Sequence, residues 1–194
     1  MKKTVICNTT GIFGTHHGSG TTHLALALAN CLVSRSHRKT ALVEINSQDL
    51  CNLLGEKFEY HEGLYHFSLL GIEIFSPAST DLINELKSSF DEIIVDFGYS
   101  KNISHDSIVC NQILITTSFS PYRVMTLNKF FRDESLQKLF CSKTVHFTCY
   151  GKNRYSTNWQ KKNNTPLFYV PFISDPLKIP LKDANLLIKL LRNI

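Results

Sequence analysis

The amino-acid sequence predicts a three-layer α/β/α fold with a mostly parallel central sheet, in a single domain over residues 1–194. Segments with helical periodicity alternate with unbroken aliphatic and β-branched runs, which are typical of strands buried on both faces. The first strong strand leads into a loop rich in glycine and threonine, and a helix follows at once. In such a sheet ligands bind at the carboxyl ends of the strands, so the loops there are the places to look for function.

The bulk composition fits an ordinary globular protein rather than a disordered or fibrous one. The chain is 43% apolar and 19% charged, and a chain of 194 residues buries a full core without disulfides or metals. Its six cysteines form no C-x-x-C pair, which predicts buried, reduced thiols in a reducing compartment. No apolar run approaches the ~20 residues of a membrane span, and the N-terminal residues resemble a signal peptide only weakly. We therefore expect a cytoplasmic protein.

The strands are predicted from aliphatic runs bounded by turn-forming residues. The clearest buried strand is IIVDFG, within residues 91–98. Two weaker segments, KFEY and GLYHF, predict short strands at 57–60 and 63–67. The other predicted strands cover residues 10–15, 40–46, 72–77, 112–118, 144–150 and 166–172.

The helices are predicted from apolar residues that recur every three or four positions. The first covers residues 21–34, and the second, at 79–90, begins at a capping residue, Ser79 or Thr80. Two further helices are predicted at 122–131 and 181–191.

The loop between the first strand and the first helix is the main candidate site. Its glycines allow a tight turn whose backbone N–H groups can surround a phosphate, and the helix N-terminus adds about half a positive charge in the same direction. Thr22 carries a hydroxyl suited to a magnesium ion. The candidate phosphate-binding residues are Gly14, His16, His17, Gly18, Ser19, Gly20, Thr21 and Thr22.

This loop resembles the deviant Walker A motif of the ParA/MinD family of P-loop ATPases, usually G-x-K-G-G-x-G-K-T-T. The matching residues are Gly14, Gly18, Gly20 and Thr22. His16 stands where the family has its signature lysine, and His17 replaces a glycine. Thr21 replaces the lysine that binds phosphate. The resemblance thus implies a phosphate loop without lysines.

Other segments resemble the same family, in the same order along the chain. IIVDFG resembles the Walker B strand, with Asp96 as the acid associated with magnesium. TALVEINSQDL resembles the strand that usually ends in D-x-D, with Glu44 and Asn46 at its switch-like positions. VPFISDP, with Pro171 and Asp175, resembles the loop beside the adenine base. The resemblance covers nearly the whole chain and implies a P-loop NTPase fold with ATP or ADP and magnesium as cofactors.

The departures from the motif predict weak or absent ATP hydrolysis. Phosphoryl transfer needs its developing charge neutralised, and in the family two lysines and magnesium do this. Unperturbed histidine is mostly neutral at pH 7, Thr21 carries no charge, and Asn46 is not an anion that can orient water as the family's acid does. Loss of one such contact commonly costs on the order of 10²- to 10³-fold in rate. The sequence therefore predicts a degenerate family member, a regulatory or positioning protein with a protein partner or a homodimeric form.

Alternative functions stay open at this point. The chain is a slow ATPase if His16 or a partner protein supplies the missing charge. The loop binds an incidental anion and no cofactor if it only closes the fold. A third alternative is a nucleic-acid-binding module that uses the basic stretch 138–162, which lies within a segment free of Asp and Glu. Because Phe147 falls inside a predicted strand, we favour core aromatics and a solvated basic face over nucleic acid.

Two further signals have structural interpretations that we favour. The cluster of His16, His17 and His23 has no additional ligand at a familiar metal-binding spacing. The amphipathic helix at 181–191 resembles the membrane helix of some MinD-like proteins, but the same composition suits a helix packed on the sheet. We therefore expect neither a metal centre of histidines nor membrane binding.

Overall fold

The computed structural model describes residues 7–45, 47, 49–54, 59–61, 63–100 and 103–192, which build one sheet with helices on both faces. The strands are β1 (Asn8–Gly14), β2 (Thr40–Ile45), β3 (Glu59–His61), β4 (Leu64–Leu69), β5 (Ile72–Ala78), β6 (Glu92–Gly98), β7 (Gln112–Thr117), β8 (Thr144–Tyr150) and β9 (Leu167–Val170). The helices are α1 (Thr21–Ser36), α2 (Asp49–Leu54), α3 (Thr80–Leu86), α4 (Ile103–Asp106), α5 (Pro121–Phe131), α6 (Glu134–Ser142), α7 (Arg154–Asn163) and α8 (Leu181–Arg192). A 3-10 turn, Ser107–Val109, follows α4.

The strand order is β3-β4-β5-β2-β6-β1-β7-β8-β9. All pairings from β5 to β9 are parallel, and β3 and β4 add an antiparallel edge beside β5. The predicted three-layer fold with a mostly parallel sheet is therefore confirmed. The chain places β2, β5 and β6 on one side of β1 and β7 to β9 on the other. The loop after β1 thus opens where the winding changes direction, the usual ligand position in such sheets.

Two apolar cores lie on the two faces of the sheet, because successive strand residues point to opposite faces. Ile12 of β1 belongs to the core that α1 and α8 cover. Its neighbour Phe13 belongs to the core covered by α3, α5, α6 and α7, where it stacks on Phe97 with ring centroids 4.3 Å apart. The rigid centre of the sheet thus fixes the start of the phosphate loop.

Helix α8 packs on α1 and on the sheet, as favoured from the sequence. Ala184, Leu187 and Leu190 are buried in the same core as α1, while Leu186 on the other face of the helix is exposed. Among the helices of the described residues, none has the length and apolar character that crossing a membrane requires.

Several elements differ from their predicted bounds. Ser79 caps α3 through its side chain, as expected, but the helix ends at Leu86 and not at residue 90. Strand β3 is described from Glu59 to His61, and residues 57 and 58 of the predicted range lie outside the described part of the chain. Helices α2, α4, α6 and α7 were not predicted. Helix α7 begins with a capping box in which Asn153 and Ser156 bond each other's backbone, a signal present in the sequence as N-x-x-S.

The basic stretch keeps its aromatics largely inside the protein. Phe147 and Trp159 are buried among the rings of Phe119 and Phe131, which favours the solvated basic face over an aromatic nucleic-acid surface. Of the six free cysteines, Cys141 is exposed, which corrects the expectation of uniformly buried thiols. Cys141 lies on the face of α6 that points away from the core.

Candidate nucleotide-binding cleft

The phosphate loop runs from Gly14, the last residue of β1, to Gly20, which caps helix α1. A Cβ at Gly14 would lie 2.3 Å from Oγ of Ser19, so only glycine leaves room for the loop to fold back over the strand end. Gly20 adopts the left-handed conformation with φ 90°, which strains other residues. The loop therefore follows the glycines of the motif closely.

Hydrogen bonds tie the loop to the end of β7. The Thr15 N–H donates to the Thr116 carbonyl at 3.0 Å, and the Thr15 hydroxyl donates to Oγ1 of Thr117 at 2.9 Å. The hydroxyls of Ser19 and Thr116 lie 3.1 Å apart. Ser19 thus holds the loop together from inside, and its side chain is buried.

Tyr150, at the end of β8, closes the other side of the loop. Its hydroxyl donates to the Gly20 carbonyl at 3.1 Å. Its ring lies so close to Gly20 that a Cβ there would come within 2.6 Å of the ring. Burial raises the pKa of the Tyr150 hydroxyl, so this group stays protonated and remains a donor.

His16 occupies the position of the signature lysine, and its ring is already engaged. Nδ1 lies 2.8 Å from the His17 carbonyl oxygen, which can only accept, so Nδ1 carries a hydrogen. Nε2 lies 2.9 Å from the hydroxyl of Ser118. With only 7% of the residue exposed, His16 buttresses the loop against β7, and its ring does not reach outward as a free cation would.

The other two histidines line the cleft beside aromatic rings. His17 is exposed and packs edge-on against Tyr99, with centroids 4.8 Å apart. His23 in the first turn of α1 packs against Tyr150 at 6.1 Å. Within the described chain, no group of three or more His, Cys, Asp or Glu side chains is placed to hold a metal ion.

A cleft of about 470 Å³ opens in front of the loop. It lies at the carboxyl ends of β1, β2 and β6, and its wall contains no lysine or arginine from the described residues. Among the described residues of that wall, Asp49 is the one carboxylate. The lining residues are His16, His17, Gly18, Gly20, Thr21, Thr22, His23, Leu26, Ile45, Ser47, Asp49, Leu50, Phe97, Gly98, Tyr99 and Pro176.

Asp96 lies on β6 beneath this cleft and is 1% exposed. Its Oδ1 accepts the Gly98 N–H at 2.9 Å, whereas Oδ2 is buried without a hydrogen-bond partner of ordinary geometry among the described residues. Burial raises the pKa of Asp96 to about 6, and the nearby Thr22 hydroxyl and the Gly98 N–H reduce the rise. A buried carboxylate oxygen left open in this way is costly unless a cation or water completes it.

Glu44 is the neighbour of Asp96 on the adjacent strand β2 and is fully buried. The Ser47 hydroxyl donates to Oε1 at 2.7 Å, and the Leu50 N–H lies 3.2 Å from both oxygens. The Ser76 hydroxyl makes a short hydrogen bond to Oε2. Glu44 thus caps the first turn of α2, and its lone pairs are used for structure.

The remaining predicted site residues do not all gather at the cleft. Asn46 lies outside the described residues. Asp175 accepts the Leu177 N–H at 2.9 Å and shapes the turn that brings Pro176 to the cleft wall. Pro171 lines a separate groove between β9 and α8, because the chain leaves the sheet edge before it turns back towards the loop.

Several residues that shape the cleft were not predicted from the sequence, because they act through backbone contacts or through their aromatic rings. Tyr99 and Tyr150 contact the loop from β6 and β8, and neither belongs to a motif. Ser47 and Ser76 were missed because their role depends on the side chain of Glu44. A signal for Tyr150 was present only in part, since it ends a predicted strand at the functional edge of the sheet.

Comparison with solved structures finds the same architecture. A plasmid partition protein of Borrelia burgdorferi bound to AMPPNP superposes with a TM-score of 0.68 at 15% identity, over 97% of this chain and 100% of that one. The chain has the ParA/MinD fold. The septum site-determining protein MinD of Pyrococcus horikoshii, complexed with Mg-ADP, gives 0.64 at 16% identity, over 95% and 94% of the two chains. A ParA family ATPase of Chlorobium tepidum gives 0.61 at 18% identity, over 94% and 92%.

The sequence itself matches no family model and no curated protein. The likeness at these identities therefore establishes the ParA/MinD fold and not an activity. On that fold, the open oxygen of Asp96 and the hydroxyl of Thr22 are hard oxygen donors of the kind that Mg²⁺ prefers. The described wall of the cleft carries no lysine or arginine side chain that could pair with a phosphate, and the N-terminus of α1 borders it.

Proposed function

We propose that this chain is a regulatory or positioning protein on the ParA/MinD fold, which binds ATP or ADP weakly with Mg²⁺ and hydrolyses it poorly or not at all. The observation that carries the proposal is the chemistry of the cleft wall. It keeps glycines of the loop and Thr22, with the buried Asp96 beneath it, yet its described residues include no lysine or arginine. Phosphoryl transfer depends on such cations to neutralise the transferring group.

The state of His16 supports the same conclusion. Its two ring nitrogens are engaged by the His17 carbonyl and by Ser118. To reach a phosphate as the signature lysine does, the ring would have to leave both contacts. The loop is therefore better suited to hold an anion through its backbone than to accelerate its transfer.

We propose that Mg²⁺, when it binds with nucleotide, is held by Asp96 and Thr22. The support is the position of Asp96 beneath the cleft beside the Thr22 hydroxyl, with Oδ2 buried and without a hydrogen bond of ordinary geometry among the described residues, since a cation can complete such an oxygen. We further propose that Gly14, His16, His17, Gly18, Ser19, Gly20, Thr21 and Thr22 surround the phosphates and that Glu44 and the segment at Asn46 form the switch-like wall.

The same proposal covers the rest of the chain. Residues 1–194 would form one domain, since the likeness to the Borrelia protein extends over 97% of the chain. A protein without efficient turnover acts through what it contacts, so we propose a protein partner, with a homodimer as a second form. Pro171 and Asp175 would act only indirectly at the adenine side, where Pro176 lines the cleft.

The decisive experiment is calorimetric titration of the full chain with ATP and with ADP, each with Mg²⁺. We expect dissociation constants on the order of 100 µM or weaker, with no phosphate released above background over hours. Turnover that rises with enzyme concentration and disappears in Asp96→Asn would contradict the proposal and favour the slow ATPase. Absence of heat at millimolar nucleotide would overturn the binding part and leave the loop a structural element.

A further inference from the structure

Three consecutive loops at the carboxyl edge of the sheet carry an exposed patch that the proposed nucleotide site does not use. They follow β7, β8 and β9, which are neighbours in the sheet. The Asn153 side chain donates to the Phe119 carbonyl at 3.0 Å, and the Gly151 N–H lies 3.4 Å from the Val170 carbonyl. The loops therefore form one continuous surface. We define the carboxyl-edge ridge by Tyr122, Arg123, Met125, Lys152, Arg154 and Phe172.

The apolar members of the ridge are more exposed than large side chains usually are. Tyr122 is 85% exposed, Met125 67% and Phe172 87%. Single exposed apolar residues are common on protein surfaces, but three on one continuous edge are typical of an interaction surface. Tyr122 and Met125 lie in the first two turns of α5, and Phe172 lies two residues beyond the end of β9.

The charged members of the ridge have one sign. Arg123, Lys152 and Arg154 are exposed, and residues 118–128, 150–154 and 170–174 contain no Asp or Glu. Lys152 lies over the Tyr169 ring at 5.7 Å, and Arg154 bonds the Tyr155 hydroxyl at 2.7 Å. In the described part of the chain, none of the three forms an ion pair with a carboxylate. The loops that expose the three apolar side chains thus also carry three positive charges.

From this combination we infer that the carboxyl-edge ridge docks an acidic segment of a partner protein, whose apolar side chains cover Tyr122, Met125 and Phe172. Charge complementarity selects such a partner and sets its orientation. The inference rests on the proposed role of the chain as a protein that works through a partner, but it does not depend on nucleotide binding.

Two other occupants fit the ridge less well. A second copy related by a two-fold axis through the ridge would bring its own three cations against these three, because such an interface pairs a surface with itself. A nucleic acid would use the cations, but three phosphate contacts give weak binding. Met125 also offers no planar ring for a base to stack on.

The test uses the full wild-type chain, without nucleotide, to select from a random-sequence peptide library displayed on phage. The selected pool should be enriched in Asp and Glu together with Leu, Phe or Trp. The variant Arg123→Gln/Lys152→Gln/Arg154→Gln should lose the acidic enrichment and bind a selected peptide roughly tenfold more weakly, as measured by fluorescence anisotropy. Tyr122→Ser/Phe172→Ser should lose the apolar preference.

Matched variants carry the same changes away from the ridge. Lys161→Gln/Lys162→Gln removes two exposed cations at the far end of α7, and Ile108→Thr removes an exposed apolar side chain at the opposite edge of the sheet. Both should keep wild-type peptide binding. Circular dichroism and an unchanged thermal midpoint would establish that the ridge variants are folded.

Three results would overturn the inference. The first is a pool without acidic enrichment, or one that the triple variant selects equally well. The second is tighter binding of a single-stranded oligonucleotide than of any selected peptide at physiological salt, which would assign the ridge to nucleic acid. The third is a dimer in sedimentation that Tyr122→Ser/Phe172→Ser abolishes, which would assign the ridge to a second copy. Failure of nucleotide titration alone would leave peptide selection unaffected, so the two proposals fail separately.

Discussion

The ends of β2 and β6 bring two buried acids side by side, and they are used in opposite ways. Glu44 accepts hydrogen bonds from Ser47, Leu50 and Ser76 and fixes the start of α2. Asp96, its partner in the parallel register, keeps one oxygen without such a bond among the described residues. The hydrogen bonds of Glu44 thus hold the fold, whereas Asp96 is the acid that we propose for a ligand.

The largest effect is expected at the saturated acid. Glu44→Ala should lower the free energy of unfolding by about 4 kcal/mol, because the buried Leu50 N–H would lose its acceptor and the Ser47 and Ser76 hydroxyls would lose their bonds to the carboxylate. Urea denaturation measures the change. Glu85→Ala, at an exposed acid of α3, should shift it by less than about 0.5 kcal/mol. A loss at Glu44 as small as that of the control would refute the structural role.

Substitution of Asp96 should change the free energy of unfolding in the opposite direction. Asp96→Asn removes a buried charge and should raise the free energy of unfolding at about pH 7, by at most about 3 kcal/mol, because the pKa rises from 3.8 to about 6 on folding. Between these two values the folded protein binds more protons than the unfolded one, so this acid destabilises the fold progressively as pH rises. The gain from Asp96→Asn should therefore fade between about pH 7 and about pH 4.

Addition of Mg²⁺ gives a second test of Asp96. If Asp96 holds Mg²⁺, added Mg²⁺ with ADP should raise the thermal midpoint of the wild-type chain and leave that of Asp96→Asn unchanged. Equal shifts in both proteins would show that the cation binds elsewhere. A destabilised Asp96→Asn variant at neutral pH would contradict the reading of Oδ2 as an open oxygen.

A cation introduced above these acids tests the chemistry of the cleft wall. Thr21→Lys should strengthen ADP binding by about tenfold, since a charge-assisted contact to phosphate adds roughly 1.4 kcal/mol. Calorimetry with Mg-ADP measures the gain. Thr21→Met has a similar length without the charge and should bind no better than wild type. No difference between the two variants would mean that the missing lysine does not limit affinity.

The smallest effect is expected at the loop's side support. Tyr150→Phe removes the hydroxyl that donates to the Gly20 carbonyl, but that carbonyl still accepts the Leu24 N–H at 3.0 Å. The expected loss is about 0.5–1 kcal/mol in the free energy of unfolding. Tyr122→Phe, at an exposed tyrosine, should cause none that urea denaturation can resolve. A loss above about 2 kcal/mol at Tyr150 would indicate that the hydroxyl supports the whole loop.

Sequence periodicity predicted the architecture because buried parallel strands leave a strong local signal. The strand ending at Asp96 is apolar on both faces, and β6 appears where it was expected. Helix α7 was missed because its apolar face is narrow, with only Ser156 and Trp159 buried. Its start, at Asn153, depends on a capping pair that is easily lost among polar residues.

The candidate site was less predictable than the fold. Motif spacing brought Thr22 and Asp96 to one place, because the glycines determine the course of the backbone. The orientation of His16 could not be deduced, since it depends on Ser118, a residue 102 positions away. The difference between Glu44 and Asp96 could not be predicted either, because it depends on the Ser47 and Ser76 hydroxyls and the Leu50 N–H, which no local pattern connects.

The contact between Gly20 and Tyr150 joins two segments that lie 130 positions apart. The ring occupies the space in which any Cβ at position 20 would stand. The phosphate loop and the end of β8 therefore have to be exchanged together in any chimera. A chimera that takes this loop from another protein must also take the matching end of β8. Otherwise a side chain at position 20 would clash with the Tyr150 ring.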